Sequence, residues 1–318
     1  MNTVLYILYF FIISIIIVGS TYLKITQPVI DIDEFIFNLS YGVNRTDPAP
    51  IIEGILVCLP FIIIMLFTFI YVYNKINNKT RFILIILGIS IIIALYNFHF
   101  LRFVSNHTHK SDFIAENYVD PKTVNIEFEN KKNVVFIILE SFESTLIDKQ
   151  NGGSWDYNLL PELTEIVNDE DTTIFKNGDK FGIKMISGAT YTTASVFANH
   201  SALPFKYLVS KKLNEKDFAS GAYTLGDYLK DNGYHNELIT SATASFGGIK
   251  EYFTNHGSYD ILDIDNYKDY GLEITGSDLG PWGFNDNYLF KTAKKRLSEL
   301  GKSEQPFNLT LLGIDIVH

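Results

Sequence analysis

The chain has 318 residues, of which 47% are hydrophobic, and its formal net charge is −10. This length leaves room for two domains, and the composition is too apolar for an ordinary soluble protein of this size. No basic patch is visible for neutralising phosphates, so the charge argues against a nucleic-acid partner.

Three uncharged runs, residues 1–23, 54–74 and 82–101, each reach the roughly 20 apolar residues that cross a bilayer. They predict transmembrane helices at about residues 4–23, 54–74 and 82–101. A cleaved signal peptide is the alternative for the first run, although no basic residue precedes it and no small-x-small site follows it.

The short loops predict the orientation. Lys75, Lys79 and Arg81 lie between the second and third runs with no acidic residue, whereas Lys24 and Arg45 lie among five acidic residues in the preceding loop. Because cytoplasmic loops carry the excess of Lys and Arg, we expect the N-terminus inside the cell. The part of the chain after residue 101 is then outside the cytoplasmic membrane.

Residues 102–132 are polar and mixed in charge, which predicts a linker to an outer domain. His107 and His109 could together hold a metal ion, but with no third ligand nearby a solvated linker is the better interpretation. The single cysteine, Cys58, lies in the second apolar run and can form no intrachain disulfide.

Residues 133–318 alternate short apolar strands with helical stretches, which predicts an α/β domain with a mainly parallel sheet. The first predicted strand, 134–139, is apolar on both faces, as expected of a strand covered by helices on each side. The remaining predictions are strands at 181–186, 236–240 and 307–314, and helices at 160–167, 192–203, 224–232 and 284–297.

Three features fall at one edge of the predicted sheet, where ligands bind in open α/β folds. Glu140 follows the first strand, Thr192 opens the helix after the 181–186 strand, and His318 follows the last strand. Their shared position makes this edge the candidate site.

Glu140 and Thr192 each have a structural alternative. A carboxylate at a buried strand end stays ionised beside a cation or hydrogen-bond donors, so Glu140 is either a metal ligand or a helix cap. A hydroxyl at a helix start is either a cap or a nucleophile in an anion-binding position. Together they make sense as a pair, because a metal held by the glutamate would activate the hydroxyl.

Two segments resemble a known family, the phosphoglycerol transferases and lipoteichoic acid synthases, a membrane-anchored, sulfatase-like branch of the alkaline phosphatase superfamily. The first is residues 133–143, which contain Glu140. The second is residues 188–195, which contain Thr192 and continue to Leu203 and Pro204. The resemblance implies that Glu140 and Thr192 are metal ligands and that Thr192 is the catalytic nucleophile.

The resemblance extends to the segments 246–250, 256–257, 282–286 and 306–312. It implies that Lys250 and His318 bind substrate, with His318 on the phosphoglycerol group. The family's headgroup-binding aromatic residue and arginine are replaced here by Gly248 and Lys250, which weakens the assignment of Lys250.

The activity implied by the resemblance is transfer of phosphoglycerol from phosphatidylglycerol to a glycan or polyglycerolphosphate acceptor, through a phosphothreonine. The cofactor would be a divalent metal ion, Mn²⁺, Mg²⁺ or Zn²⁺, and the partners would be the donor lipid, the acceptor and the bilayer. Alternatives are a phosphoethanolamine transferase, a sulfatase-like hydrolase, and a non-catalytic membrane protein that binds lipid or glycan. Sulfatases use a modified Cys or Ser as nucleophile, and Cys58 lies in a membrane run, so sulfatase activity is disfavoured.

Family members also contribute an adjacent Asp-His pair to the metal site from a region beyond position 318. The sequence is therefore expected to be a fragment with an incomplete metal site. We expect little or no turnover from residues 1–318 alone.

Overall fold

The computed structural model describes residues 3–27, 30, 32–41, 49–177, 180–206, 217–270, 280 and 282–314. The chain divides into two compact units, Met1–Val119 with Lys206–Lys212, and Asp120–Phe205 with Leu213–His318.

The first unit is helical. Its helices are α1 (Thr3–Thr26), α2 (Ile32–Tyr41), α3 (Ala49–Lys75), α4 (Lys79–Asn97), α5 (Phe100–Thr108) and α6 (Phe113–Asn117). The segments Val4–Thr26, Ile51–Lys75 and Lys79–Asn97 are long and apolar enough to cross a membrane, which confirms the three predicted spans.

Helix α1 packs against both α3 and α4. At the centre of this contact, the ring of Phe10 lies 5.3 Å from that of Tyr73 and 5.8 Å from that of Phe69. Between helices in lipid, such van der Waals contacts provide the packing energy, since apolar residues gain little by leaving an apolar solvent.

The third span ends earlier than the sequence predicts. Helix α4 stops at Asn97 because His99 adopts a left-handed conformation, with φ of 51°, and a new helix begins at Phe100. Leu101 is therefore part of α5 and not of the span. The stretch 102–132 also contains α6, so it is more structured than a plain linker.

The second unit is built on a parallel sheet. Its strands are β1 (Val134–Ile138), β4 (His235–Thr240), β5 (Asp260–Leu262) and β6 (Phe307–Leu312), in the order β1-β6-β4-β5. A separate antiparallel pair joins β2 (Lys176–Asn177) to β3 (Lys180–Phe181). Its helices are α7 (Pro161–Val167), α8 (Thr192–Ser201), α9 (Leu225–Asp231), α10 (Ile249–Asn255) and α11 (Asp286–Leu300). The predicted α/β class is thus confirmed.

The core lies between the sheet and α11. All six residues of β6 are buried, and Leu309 and Leu311 pack in one cluster with Leu289 and Ala293 of α11. A strand that is flanked by neighbours and buried on both faces is typical of the centre of a parallel sheet, although Asn308 and Thr310 make one face of β6 partly polar.

Strand β1 forms where it is predicted, but its predicted burial on both faces is wrong, and so is the extent of the strand predicted at 181–186. Strand β1 is an edge strand of the four-stranded sheet, and Val135 and Ile137 are 44% and 50% exposed, so the strand is not covered on both faces. The predicted strand 181–186 ends at Phe181, because Gly182 turns the chain with φ of 85° and Ile183 and Met185 are exposed.

Candidate active site

Glu140 and Thr192 meet at the carboxyl edge of the sheet. Glu140 follows β1 by two positions, and Thr192 is the first residue of α8. The Thr192 hydroxyl donates a hydrogen bond to Oε1 of Glu140 at 2.6 Å, across 52 positions of sequence. The structure therefore brings together the two residues on which the sequence prediction depended.

The start of α8 leaves the Thr192 hydroxyl available for this bond. Tyr191, in an extended conformation, is the residue before the helix, and it provides no side-chain cap. Thr192 is consequently the first helical residue, beside backbone N–H groups that have no partner within a helix. Its hydroxyl sits where the helix end favours a negatively charged ligand.

A glycine turn holds the segment that leads into α8. Gly188 has φ of 83°, and its carbonyl accepts a hydrogen bond from the backbone N–H of Phe205 at 2.8 Å. A Cβ atom at position 188 would lie 2.6 Å from the carbonyl oxygen of Phe205. Only glycine fits both this dihedral angle and this space. The segment before α8 is therefore held against the segment that follows α8.

The loop before α10 is fastened beside the same helix start. The buried hydroxyl of Thr193 donates to the carbonyl oxygen of Gly247, and Gly247 and Gly248 have φ of 61° and 76°. The ring of Phe246, in the same loop, lies 5.9 Å from that of Trp282. The segment predicted to lie near the substrate headgroup thus borders the first turn of α8.

Lys250 and His318 remain predictions as substrate-binding residues. Lys250 is the second residue of α10, where its backbone N–H donates to Ala244 at 2.8 Å and its side chain is exposed. His318 lies outside the described residues.

The sequence prediction missed Asp286, which links the ends of neighbouring strands. Its carboxylate accepts from the Ser241 hydroxyl, just after β4, at 2.8 Å, and from the Ile314 N–H, just after β6, at 3.0 and 3.1 Å. A Cβ atom on Gly313 would lie 2.6 Å from Oδ2 of Asp286, so a larger residue there would displace the carboxylate. In the sequence, an acidic residue at position 286 indicates the start of a helix. It does not indicate that its carboxylate contacts Ser241 and Ile314.

The surroundings of Glu140 favour a proton or a cation. Burial raises the pKa of Glu140, the hydrogen bond from Thr192 lowers it, and the negative charge of Asp286 raises it again, with a net upward shift. A carboxylate that is costly to leave charged gains most from a bound positive charge.

Glu140 and Thr192 fit two ligands of a hard divalent cation, which prefers oxygen donors. Among the described residues, His, Cys, Asp and Glu side chains form no cluster of three or more that could hold a metal ion. The observed pair thus fits only part of a metal site.

His200 lies on the buried side of α8 and serves as a core residue. Its Nδ1 is 3.2 Å from the Tyr252 hydroxyl, and its ring packs edge-on against Phe136 at 4.9 Å. Burial, together with the nearby His256, lowers the pKa of His200 to about 4. The ring is therefore neutral at physiological pH.

His256, in one of the segments that resemble the family, is also held within the fold. Nδ1 is 2.9 Å from the Asp227 carboxylate and Nε2 is 2.8 Å from the carbonyl oxygen of Phe218. Burial alone would raise the pKa of Asp227, but hydrogen bonds from His256 and Thr224 hold it below its usual value. The pair joins α9 to the end of α10.

Comparison with known proteins places these residues in a family. A model of the Sulfatase family matches residues 132–313. Phosphoglycerol transferase I of Xanthomonas euvesicatoria pv. vesicatoria is 31% identical over 192 residues, covering 59% of this chain and 25% of that protein. Phosphoglycerol transferase I of Escherichia coli strain 55989 / EAEC is 28% identical over 215 residues, covering 65% of this chain and 25% of that protein.

A solved structure of an alkaline phosphatase superfamily protein from Vibrio parahaemolyticus is 24% identical, with a TM-score of 0.43, over 57% of this chain and 40% of that chain. The chain spans about a quarter of the length of the curated relatives it matches.

Proposed function

The chain belongs to the sulfatase family, and on that basis we propose that it transfers phosphoglycerol from phosphatidylglycerol to a hydroxyl of a glycan or polyglycerolphosphate acceptor. The observation that carries the proposal is the 2.6 Å hydrogen bond from Thr192 to Glu140 at the start of α8. The names of the relatives support a phosphoglycerol-type transferase within the family.

In the first step, Oγ1 of Thr192 attacks phosphorus and Oε1 of Glu140 accepts the hydroxyl proton. The bond between phosphorus and the diacylglycerol oxygen breaks, and His318, by the family resemblance, provides the proton for the leaving oxygen. Phosphoglycerol is then covalently held on Thr192.

In the second step, an acceptor hydroxyl attacks the same phosphorus atom. The acceptor loses its proton to His318, the bond between phosphorus and Thr192 breaks, and the threonine oxygen recovers the proton held by Glu140. During both steps the backbone N–H groups at the start of α8 stabilise charge on the nonbridging oxygens.

We propose that Glu140 and Thr192 also hold a divalent metal ion. When bound, such an ion would lower the pKa of the hydroxyl and neutralise charge on the phosphoryl oxygens. The partial burial of the glutamate beside Asp286 supports a cation at this position.

Substitution of the nucleophile tests the proposal. In phosphatidylglycerol vesicles carrying the full-length protein, Thr192→Ala should lower diacylglycerol release by about 1,000-fold or more, because the attacking oxygen is lost. Thr192→Ser, which keeps the oxygen, should retain measurable release. Mass spectrometry of the wild-type protein stopped during turnover should find phosphoglycerol on Thr192.

A matched control is available in Thr145, whose hydroxyl donates to Glu143 at 3.0 Å on the exposed surface. Thr145→Ala removes the same kind of Thr–Glu bond and should leave diacylglycerol release unchanged. Undiminished release by Thr192→Ala would show that another group is the nucleophile.

A further inference from the structure

Helix α5 has one apolar side and one polar side. Phe100, Phe103 and Val104 are grouped on one side with Leu101 at its margin, whereas Arg102, Ser105 and Asn106 share the other. A short helix of this pattern, rich in aromatic and aliphatic residues on one side and carrying a basic residue on the other, is typical of membrane-surface helices.

The turn before α5 is fixed at the end of the membrane spans. Only Phe98 and His99 separate α5 from α4, and two residues span at most about 7 Å. The Lys24 ammonium, in the last turn of α1, donates to Nε2 of His99 at 2.7 Å. This bond stabilises the left-handed turn at His99 and joins it to the adjacent span.

A second polar contact lies just inside this turn. The side-chain amide of Asn97, at the end of α4, donates to the Ser20 hydroxyl of α1 at 3.1 Å, and both residues are buried. This hydrogen bond joins the two spans near the residue where α5 begins. Helix α5 therefore starts where the apolar part of the bundle ends.

Helix α2 lies at the same end of the bundle. It follows α1, packs against α5, and carries Phe35, whose ring is 4.9 Å from that of Phe98. Nε2 of His107 in α5 is 3.6 Å from the Asp33 carboxylate in α2. These contacts join the two non-spanning helices into one pair.

The pair exposes large apolar side chains. Leu101 of α5 is 83% exposed and Leu39 of α2 is 66% exposed, while Tyr96, in the last turn of α4, is also exposed. Leaving such side chains in water forgoes the free energy that is gained when apolar surface is buried. Because α5 follows a candidate membrane span after only two residues, the bilayer is the occupant that we infer for these side chains.

We propose that α2 and α5 lie in the plane of the membrane interface, with Leu39 and Leu101 inserted among the lipid acyl chains. Arg102, on the polar side of α5 with Ser105 and Asn106, then faces the lipid phosphates and water. The helix pair binds a lipid surface in addition to the three spans.

Site-specific fluorescence tests the proposal in the full-length protein. In a Cys58→Ser background, Leu101→Cys and Asn106→Cys compare the apolar and polar sides of one helix. Each is labelled with an environment-sensitive fluorophore in vesicles of phosphatidylcholine and phosphatidylglycerol. The label at 101 should emit at shorter wavelength than the label at 106 and be quenched severalfold more by spin-labelled lipids.

Leu39→Cys provides an independent probe on α2 and should behave like position 101. Circular dichroism of each labelled protein checks that the fold is retained. Water-like emission and equal quenching at 39, 101 and 106 in folded protein would overturn the proposal. Shielding from water without quenching by lipid would also overturn it, because that result assigns the surface to a protein contact.

Discussion

Glu140 illustrates how one residue can be tuned for chemistry at a cost to the fold. The carboxylate is partly buried, it accepts from Thr192, and the negative Asp286 lies close enough to disfavour a second charge. The net result is a raised pKa, so the charged form is less stable in the folded protein than in the unfolded chain.

This cost predicts a stabilising substitution. The loss of stability caused by ionising Glu140 begins as the pH rises above the ordinary glutamate pKa of 4.5. It is complete above the raised pKa that Glu140 has in the folded protein. Glu140→Gln removes the charge and keeps an acceptor for Thr192. The variant should therefore melt at higher temperature than the wild type at pH 7 in EDTA, with the difference vanishing near pH 4.

Differential scanning calorimetry in detergent measures this melting temperature. The same variant should lose activity, since neither proton acceptance nor metal binding survives the change. A lower melting temperature for Glu140→Gln at pH 7 would show that the hydrogen bond to the charged carboxylate outweighs its burial.

His200 makes the fold sensitive to acid. Its pKa is about 4 in the folded protein and near 6.5 when unperturbed, so the unfolded chain takes up the proton first as pH falls. Between pH 7 and pH 5 this group should remove about 2 kcal/mol of stability.

His200→Phe fills the same aromatic cluster and cannot titrate. It should reduce the loss of unfolding free energy between pH 7 and pH 5, as measured by denaturant titrations at the two pH values. His109→Phe, at an exposed position, is the matched control and should leave the loss unchanged. Equal pH dependence in wild type and His200→Phe would mean that His200 is not neutral in the fold.

At the scale of elements, one buried ion pair joins the sheet to its covering helix. Arg296 of α11 donates from Nε and Nη2 to the two carboxylate oxygens of Glu237 in β4, both at 2.7 Å. Glu237 is buried, and Arg296 also contacts Glu299 on its own helix. A buried bidentate pair fixes the position of α11, and hence of Asp286 at its start.

Breaking this pair should be costly. Arg296→Met leaves the Glu237 charge buried without its partner and should lower the free energy of unfolding by about 3 kcal/mol. Lys149 and Asp156, at 2.6 Å on the exposed surface, provide the control, where Lys149→Met should cost less than about 1 kcal/mol. Urea unfolding measures both, and equal costs would contradict the structural importance of the buried pair.

The strand predictions succeed or fail according to neighbours in space. Strands β4 and β6 lie in the sheet interior, and each matches its prediction within two residues. Residues 183–186 have a similar local pattern but pair with no strand in the described part of the chain. Local pattern reports which residues could be buried, while pairing depends on what the rest of the chain supplies.

At the scale of the whole molecule, the chain combines a helical unit with three candidate spans and an α/β unit of the sulfatase family. The Lys- and Arg-rich connection between α3 and α4 predicts that this connection is cytoplasmic and that the α/β unit is outside. Such an arrangement would give the proposed active site access to lipid in the outer leaflet.

Cysteine accessibility tests this orientation. In the Cys58→Ser background, Glu129→Cys should react with a membrane-impermeant maleimide in intact cells, because position 129 belongs to the α/β unit, which we predict to be outside. Asn77→Cys, between α3 and α4, should react only after the cells are permeabilised. The reverse pattern would invert the topology and place the proposed site on the cytoplasmic side.

The sequence by itself determined the three spans, the α/β class and the helix start at Thr192, because hydropathy, alternation of strands and helices, and capping preferences act over a few neighbouring residues. It also identified Glu140 and Thr192 as candidates, through their expected position at a common sheet edge and through the family resemblance. What it could not determine was contact across long separations.

Only the tertiary structure decided that the Thr192 hydroxyl meets the Glu140 carboxylate across 52 positions, and that Asp286 links the ends of β4 and β6 beside them. The tertiary structure also decided the edge position of β1 and the turn that ends α4 at Asn97. Each depends on which segments pack together, and that choice is made by burial and hydrogen bonding summed over the whole fold rather than by any local pattern.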